Sequence, residues 1–477
     1  MSQRIAVTFP RRVLRTLRRA LPARRRRGRT GAVLRLALPA VSEQLLNMTV
    51  GLADTWLVGH LGADPIAAVS ISNQIVMLAQ VLCSSIATGS TALIARCIGA
   101  QDVVTANRAL GQSALIAVLI GLVTTGAGVA FAGRAVRMMG ATGEALPLAA
   151  SYLRIVSWSF LFMTCLLVGN ACLRGAGDTL SAMRVMMLVN AINIVVAAAL
   201  IYGPFGLPRL GVVGSAMGAA TARSVGGIVV LATLWRGRAG LRLAWRRVVP
   251  DLAMIGRILR IGIPTGVEML LFRLGDMSFY RVVASLGMAA CAAHAIALNA
   301  QSLSFSPGFG FAIAATTLVG QGLGAGDPKR AESDGYLAFR LGATVMTIAG
   351  LFFLAFSRQI VGFFTNDLEV VALGSGPLRV VAVAQPLLAS TMIFSGALRG
   401  AGDTRFPMWM AAVGNWLVRL PIGYTLGVVW NLGLPGIYAA FLVDAVVQAG
   451  AMIWRYRQGR WRTLLTAPTA PPAEGIV

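Results

Sequence analysis

Apolar segments of about 20 residues or more, the length an α-helix needs to cross a bilayer, recur along this chain between short polar stretches. They lie at 34–57, 66–94, 109–132, 147–170, 180–202 and 212–235, and again at 259–285, 289–319, 336–356, 370–397, 406–430 and 436–456. The pattern predicts an all-α polytopic membrane protein with twelve transmembrane helices.

The two sets of six are one unit written twice. LRGAGDT occurs at Leu173–Thr179 and at Leu398–Thr404, 225 residues apart, and at that offset Pro39 falls on Pro264, Glu43 on Glu268, Asp102 on Asp327 and Asn190 on Asn415. An internal repeat has to be found before a fold is assigned. Because each unit holds an even number of spans, both enter the membrane from the same side. The predicted architecture is therefore two pseudo-symmetric six-helix lobes, parallel repeats facing each other across a central cleft. The expected organisation is a basic arm over 1–32, a first lobe over 33–235, an inter-lobe linker over 236–257, a second lobe over 258–457 and a tail over 458–477, basic and then disordered.

Composition agrees with the pattern. Apolar residues make up 57% of the chain and charged ones 12%, against about 45–50% and about 25% in soluble domains. The net charge of +25 comes largely from arginine, eleven of them in the first thirty residues and most others in short loops. That distribution suits the anionic inner face of a membrane and not a nucleic-acid groove. The arm, Arg96, Arg108, Arg174, Arg184, the 236–257 loop, Lys329, Arg330, Arg399, Arg405 and the Arg455–Arg462 cluster fall on one side, and Arg134, Arg137, Arg209 and Arg358 on the other. By the positive-inside rule both termini are cytoplasmic and the protein is a multi-pass protein of the plasma membrane. The five cysteines show no CxxC and no pairing with His, so they read as small core residues.

LRGAGDT falls at the cytoplasmic end of the fourth helix of each half. Arg174 and Arg399 close that helix, Gly175, Gly177, Gly400 and Gly402 can end it in a left-handed turn, and Asp178 and Asp403 can cap the next one.

Four acidic residues interrupt apolar spans: Glu43 and Asp54 in the first, Glu268 and Asp276 in the seventh. Each costs roughly 2.5–3.5 kcal/mol at membrane depth, which makes it a functional candidate. Glu43 and Asp54 are eleven residues apart, about 16 Å along an ideal helix and within about 20° of one face. A carboxylate held there can exchange a proton near neutral pH, or it can join amide oxygens in holding Na+; pairing with an arginine is the structural alternative, with Arg273 and Arg281 near Asp276. Asp444 stands where the first half has Ala219, and either binds a cationic substrate or pairs with a neighbour such as Arg419. His294 reads as a hydrogen-bonded packing residue. The amides Gln44, Asn47, Asn73, Asn190, Asn193, Asn299, Gln301 and Asn415 are expected to face the bundle interior, as helix-joining bonds or as lining of a wet cleft.

The paired RGAGDT strings, a first helix reading ALPAVSEQLLNMTVGLADTWLVGHLG and a seventh reading GIPTGVEMLLF followed by SLG resemble the multidrug and toxic compound extrusion (MATE) transporters, over residues 33–457. The resemblance implies an alternating-access antiporter of amphipathic, often cationic organic compounds, driven by an H+ or Na+ gradient without a cofactor. Its partners would be small organic substrates and membrane lipids, and the simplest working form a monomer. The context GLADTWLVG matches the family's ion-coupling aspartate of the first helix, which is Asp54. Many members carry an Asn in the fifth helix and an Asp four residues later; here Asn193 is present and Ala197 takes the second place. Helix 370–397 has no acidic residue, whereas some sodium-coupled members use one there. Both departures favour H+ over a transient Na+ near Asp54. An alternative with the same fold is a flippase or exporter of lipid-linked or other metabolite substrates; a flippase of lipid-linked precursors would have a strongly cationic cavity. An enzyme is not expected from two histidines, no HExxH, no acidic metal-binding cluster and no phosphate-binding Gly loop.

Overall fold

The computed structural model of the protein describes residues 28–203, 209–244 and 249–464. The first half comprises α1 (Arg29–Gly59), α2 (Ala63–Gly99), α3 (Val103–Met138), α4 (Ala145–Trp158), α5 (Phe160–Gly175), α6 (Thr179–Tyr202) and α7 (Val212–Arg236). The second comprises α8 (Leu252–Ala284), α9 (Met288–Gly324), α10 (Pro328–Phe364), α11 (Leu368–Ala401), α12 (Arg405–Ala412), α13 (Leu420–Tyr424) and α14 (Gly433–Gln458). Among the described residues, with α4–α5 forming one bent span and 405–429 another, the helices make twelve spans in two lobes, nine of them long and apolar enough by length and composition alone to cross a membrane.

Local chemistry sets the helix starts. Asp102 and its repeat mate Asp327 cap α3 and α10 by accepting from the backbone N–H of Thr105 and Arg330, each at 2.9 Å, which satisfies donors that have no partner inside the helix. Asp251 does the same for α8, at 3.0 Å from the N–H of Met254.

Two spans differ from the single straight helices the hydropathy pattern predicts. The fourth bends by 53° at Ser159. There the hydroxyls of Ser157 and Ser159 donate back to the carbonyls of Leu153 and Val156, both at 2.7 Å, a competition that bends helices. The eleventh winds as π-helix over Val413–Arg419 and Thr425–Val429, whereas its repeat mate α6 is α-helical throughout. π turns change which side chains face inward and often mark functional sites.

Helix bounds also refine the expected segments. Helix α1 starts at Arg29, inside the predicted basic arm, and residues 1–27 of the arm lie outside the described residues. Helix α8 starts at Leu252, inside the predicted linker. Two described residues of the linker are tied down: Leu243 N–H donates to Leu234 O at 2.9 Å, and Gln112 Nε2 donates to Val249 O at 2.7 Å. The predicted disordered end, beyond Leu464, also lies outside the described residues.

Each half lends the start of its first helix to the core of the other. Val33, Leu36 and Ala37 of α1 pack with Phe311, Ala315 and Leu318 of α9, while Met254 and Ile258 of α8 pack with Ile94, Leu110 and Leu173. The backbones touch as well: a Cβ on Gly99 would run into the backbone of Gln321, and one on its repeat mate Gly324 into that of Arg96. Only glycine permits so close an approach. Side-chain bonds join the halves at the same level, with Thr317 Oγ1 donating to Arg174 O and Gln321 Nε2 to Gly175 O, both at 3.1 Å. This seam lies at the face where α1 begins and α14 ends.

Candidate functional site

The arginines of the two LRGAGDT copies hold the two glutamates. Arg174 Nη1 is 2.9 Å from Glu43 Oε1, and Arg399 Nη2 is 2.7 Å from Glu268 Oε1. Both pairs join the first helix of a half to the end of its fourth span, next to the seam. All four side chains are largely buried, so each charge depends on its partner.

The glycines and aspartates of the motif have separate tasks. Gly177 and Gly402 adopt left-handed φ values of +89° and +86°, the conformation that ends the helix. Gly175 and Gly400 lie against the backbones of Thr91 and Thr316. Asp178 caps α6, accepting from Ser181 N–H at 3.0 Å, and pairs with Arg238 at 2.9 Å. Asp403 does not cap: Thr404 occupies that place before α12, and the Asp403 carboxylate holds Arg455 of α14 at 2.7 Å.

Asp54 lies eleven residues past Glu43, about 16 Å farther from the seam along α1. Both its oxygens accept from Asn193 Nδ2 of α6, at 3.0 and 2.9 Å. One level nearer the seam, Asn190 Nδ2 donates to Asn47 Oδ1 at 3.1 Å. Polar side chains on α1 and α6 thus meet twice inside the first lobe. Ala197, at the place where the resemblance calls for a second aspartate, is fully buried against Gly218 of α7.

The second lobe builds its polar cluster differently. Arg419, at the end of the first π segment, is 6% exposed and pairs with Asp276 Oδ1 at 3.1 Å. Its guanidinium lies 4.0 Å from the ring centroid of Phe279 and 5.1 Å from that of Phe441, an attraction to the faces of both rings. Asp276 therefore pairs with Arg419 and not with Arg273 or Arg281. Asp444 is buried and accepts from Gln448 Nε2 at 2.8 Å. His294 packs as a hydrogen-bonded ring, with Nδ1 2.8 Å from the Tyr438 hydroxyl.

The remaining amides are scattered. Asn415 and Gln301 are buried, Asn415 donating to Ala411 O at 2.9 Å. Asn299 is exposed and donates to its own helix, at Ala295 O. Gln44 and Asn73 are half-buried and stand outside these pairs. Arg223, in the middle of α7, was missed by reading the acids alone; it lies within electrostatic reach of Asp54 and of buried Tyr152. An arginine midway along an apolar span was the available signal. Among the described residues, no group of three or more His, Cys, Asp or Glu side chains could hold a metal ion.

Chemically, the arrangement offers a polar cluster in each lobe, far from the seam, and a pair of buried ion pairs at the seam. Known proteins share this fold. The profile of the family described as MatE matches residues 39–199 and 264–425, once in each half. A relative from Thermotoga maritima, "Probable multidrug resistance protein NorM", is 30% identical over 91% of this chain and 94% of its own length. "Multidrug resistance protein NorM" of Burkholderia vietnamiensis is also 30% identical, over 91% and 95%. A solved structure described as "Outward-facing conformation of a multidrug resistance MATE family transporter of the MOP superfamily" superposes with a TM-score of 0.84 at 25% identity, over 92% of this chain and 96% of that one.

Proposed function

The chain belongs to the MATE family of membrane transporters, and from that premise we propose that it is a cation-coupled antiporter that exports amphipathic, often cationic organic compounds, with H+ favoured over Na+ as the driving ion. The observation that carries this reading is the placement of Asp54. It sits on the half of α1 away from the seam, with both oxygens held by one Asn193 amide. The relatives named above as multidrug resistance proteins support the substrate class.

The arginine distribution makes the seam face cytoplasmic, so the closed seam corresponds to a cleft open to the outside. A proton entering from outside neutralises Asp54, and the substrate leaves. Opening the seam then exposes the carboxylate side of the cleft to the cytoplasm, where substrate uptake and proton release complete the exchange. Such a cycle couples the fluxes only if each ligand binds the two conformations differently. In the second lobe Asp276 keeps 40% of its side chain exposed, and it is the carboxylate that an organic cation in the cleft reaches first. Prolines inside α1, α8 and α11, at Pro39, Pro264 and Pro386, allow the bending that alternation requires.

The flippase alternative asks for a cavity with a strong excess of positive charge. Here the deep arginine Arg419 pairs with Asp276 and lies within electrostatic reach of Asp444, and Arg223 lies within reach of Asp54, which argues against such an excess. The test is transport by purified protein in liposomes loaded with a fluorescent organic cation, under an imposed pH gradient and an imposed Na+ gradient in turn. Movement under the pH gradient, lost in Asp54→Asn, is the expected result. No movement under either gradient by folded protein would overturn the antiport reading in favour of a lipid-linked substrate.

A further inference from the structure

In the second lobe a guanidinium pairs with the carboxylate of the polar cluster, in the first Arg223 lies within electrostatic reach of it, and neither arginine belongs to the repeat. Offset by 225, Arg223 falls on Gln448 and Arg419 on Ile194, while Asp54 falls on Phe279 and Asp276 on Gly51. The second lobe nonetheless uses the positions that matter in the first. Phe279, the mate of Asp54, receives the guanidinium of Arg419 on its ring, and Gln448, the mate of Arg223, donates to Asp444. The two clusters therefore occupy equivalent places in the two lobes. They are built from different residues, yet each contains one arginine.

The polar atoms around these arginines do not form a metal shell. A sodium ion needs several oxygens converging on it with a local excess of negative charge. In the first lobe, the two oxygens of Asp54 both face the Asn193 amide N–H group, Ala197 supplies no side-chain oxygen, and Arg223 places a positive charge within electrostatic reach of the single negative one. Arg223 Nη1 and Asn193 Oδ1 are buried without a hydrogen-bond partner. One is a donor and the other an acceptor, and a guanidinium donor cannot ligate a metal ion. In the second lobe the space between Asp276, Phe279 and Phe441 is filled by Arg419 itself.

We propose that Arg223 and Arg419 are resident cations which take the place of a bound metal ion in the two lobes, so that this transporter exchanges protons and excludes sodium. The inference rests on the antiport reading above and deepens it by naming the coupling ion and the residues that select it. When Asp54 is ionised, Arg223 balances it; when Asp54 takes a proton, the first lobe keeps one uncompensated positive charge, which disfavours a cationic substrate. The charged and titratable groups around the sites are Asp54, Tyr152 and Arg223 in the first lobe, and Asp276, Asp444, His294, Tyr438 and Arg419 in the second.

The test compares wild type, Arg223→Gln, Arg223→Lys and Arg419→Gln. Thermal stability of purified protein is measured in sodium chloride and in choline chloride, and proton-driven transport of a fluorescent organic cation in liposomes is followed against pH. Wild type and Arg223→Lys are expected to be equally stable in both salts. Arg223→Gln and Arg419→Gln are expected to gain a sodium-specific rise in melting temperature, and the transport midpoint of Arg223→Gln to move to higher pH, because a carboxylate without its cationic neighbour holds its proton longer. Sodium-specific stabilisation of wild type would overturn the inference, and so would Gln variants with the wild-type pH profile and no response to sodium. The salt measurement needs no transport, so a wild type that moves no substrate would fail the antiport reading while the role of the arginines is still read directly.

Discussion

Arg174 holds Glu43 at 2.9 Å, and the same pair recurs as Arg399 and Glu268, 131 residues separating acid and base in each half. The repeated LRGAGDT string and the repeated glutamates are thus two ends of one contact. Each pair ties the first helix of a half to the end of its fourth span. Because Arg174 O also accepts from Thr317 of the other half, the pair sits where the lobes meet.

Breaking one partner leaves a mostly buried charge alone. Glu43→Gln or Arg174→Gln should each cost about 3 kcal/mol, the low end for buried pairs because the side chains keep 11–15% exposure. The double variant should recover much of that loss. Thermal unfolding of the four proteins in a double-mutant cycle measures the coupling; additive losses would show that the contact contributes nothing of its own.

The repeat, the twelve spans and the candidate acids were legible in the sequence because each is a local pattern or an exact match at one offset. Pairing was not. Asp276 had Arg273 and Arg281 close in sequence, and the arginine it holds lies 143 residues away, brought there by an eleventh span that winds as π-helix. Asn193 was legible as a partner for Asp54 only through the family resemblance. Arg223 was marked by its place midway along an apolar span, but a linear reading does not tell which residue it faces.

Gly99 and Gly324 each face the backbone of the opposite half at the seam. Gly324→Val should hold the two halves apart there and reduce transport by at least tenfold, with the seam opened to a thiol reagent at a cysteine placed nearby. Gly362→Val, where an added Cβ meets nothing, is the matched control and should stay close to wild type. Equal loss in both variants would mean that the close approach is incidental.

The two motif aspartates should separate experimentally. Asp178→Ala removes the cap of α6 and should cost about 1 kcal/mol, with a further small part from the half-exposed Arg238. Asp403→Ala removes no cap and instead leaves Arg455, whose side chain is 16% exposed, without its carboxylate. The loss should be larger, and it should be reduced by pairing Asp403→Ala with Arg455→Met. Thermal unfolding of the three variants checks the order.

Asp276 and Arg419 combine a structural and a transport role, and two variants distinguish them. Asp276→Asn leaves a 6% exposed guanidinium against the faces of Phe279 and Phe441 without its ion-pair partner, so stability should fall by about 3 kcal/mol. Adding Arg419→Met fills the slot between Phe279 and Phe441 with an apolar side chain of similar length and should restore stability. If Asp276 is the carboxylate that meets the organic cation, the double variant still binds that cation about tenfold more weakly than wild type, a difference of about 1.4 kcal/mol. Its affinity for a neutral analogue should be unchanged. A restored fold with wild-type cation affinity would leave Asp276 only the task of holding Arg419, and would move the substrate's positive group to another part of the cleft.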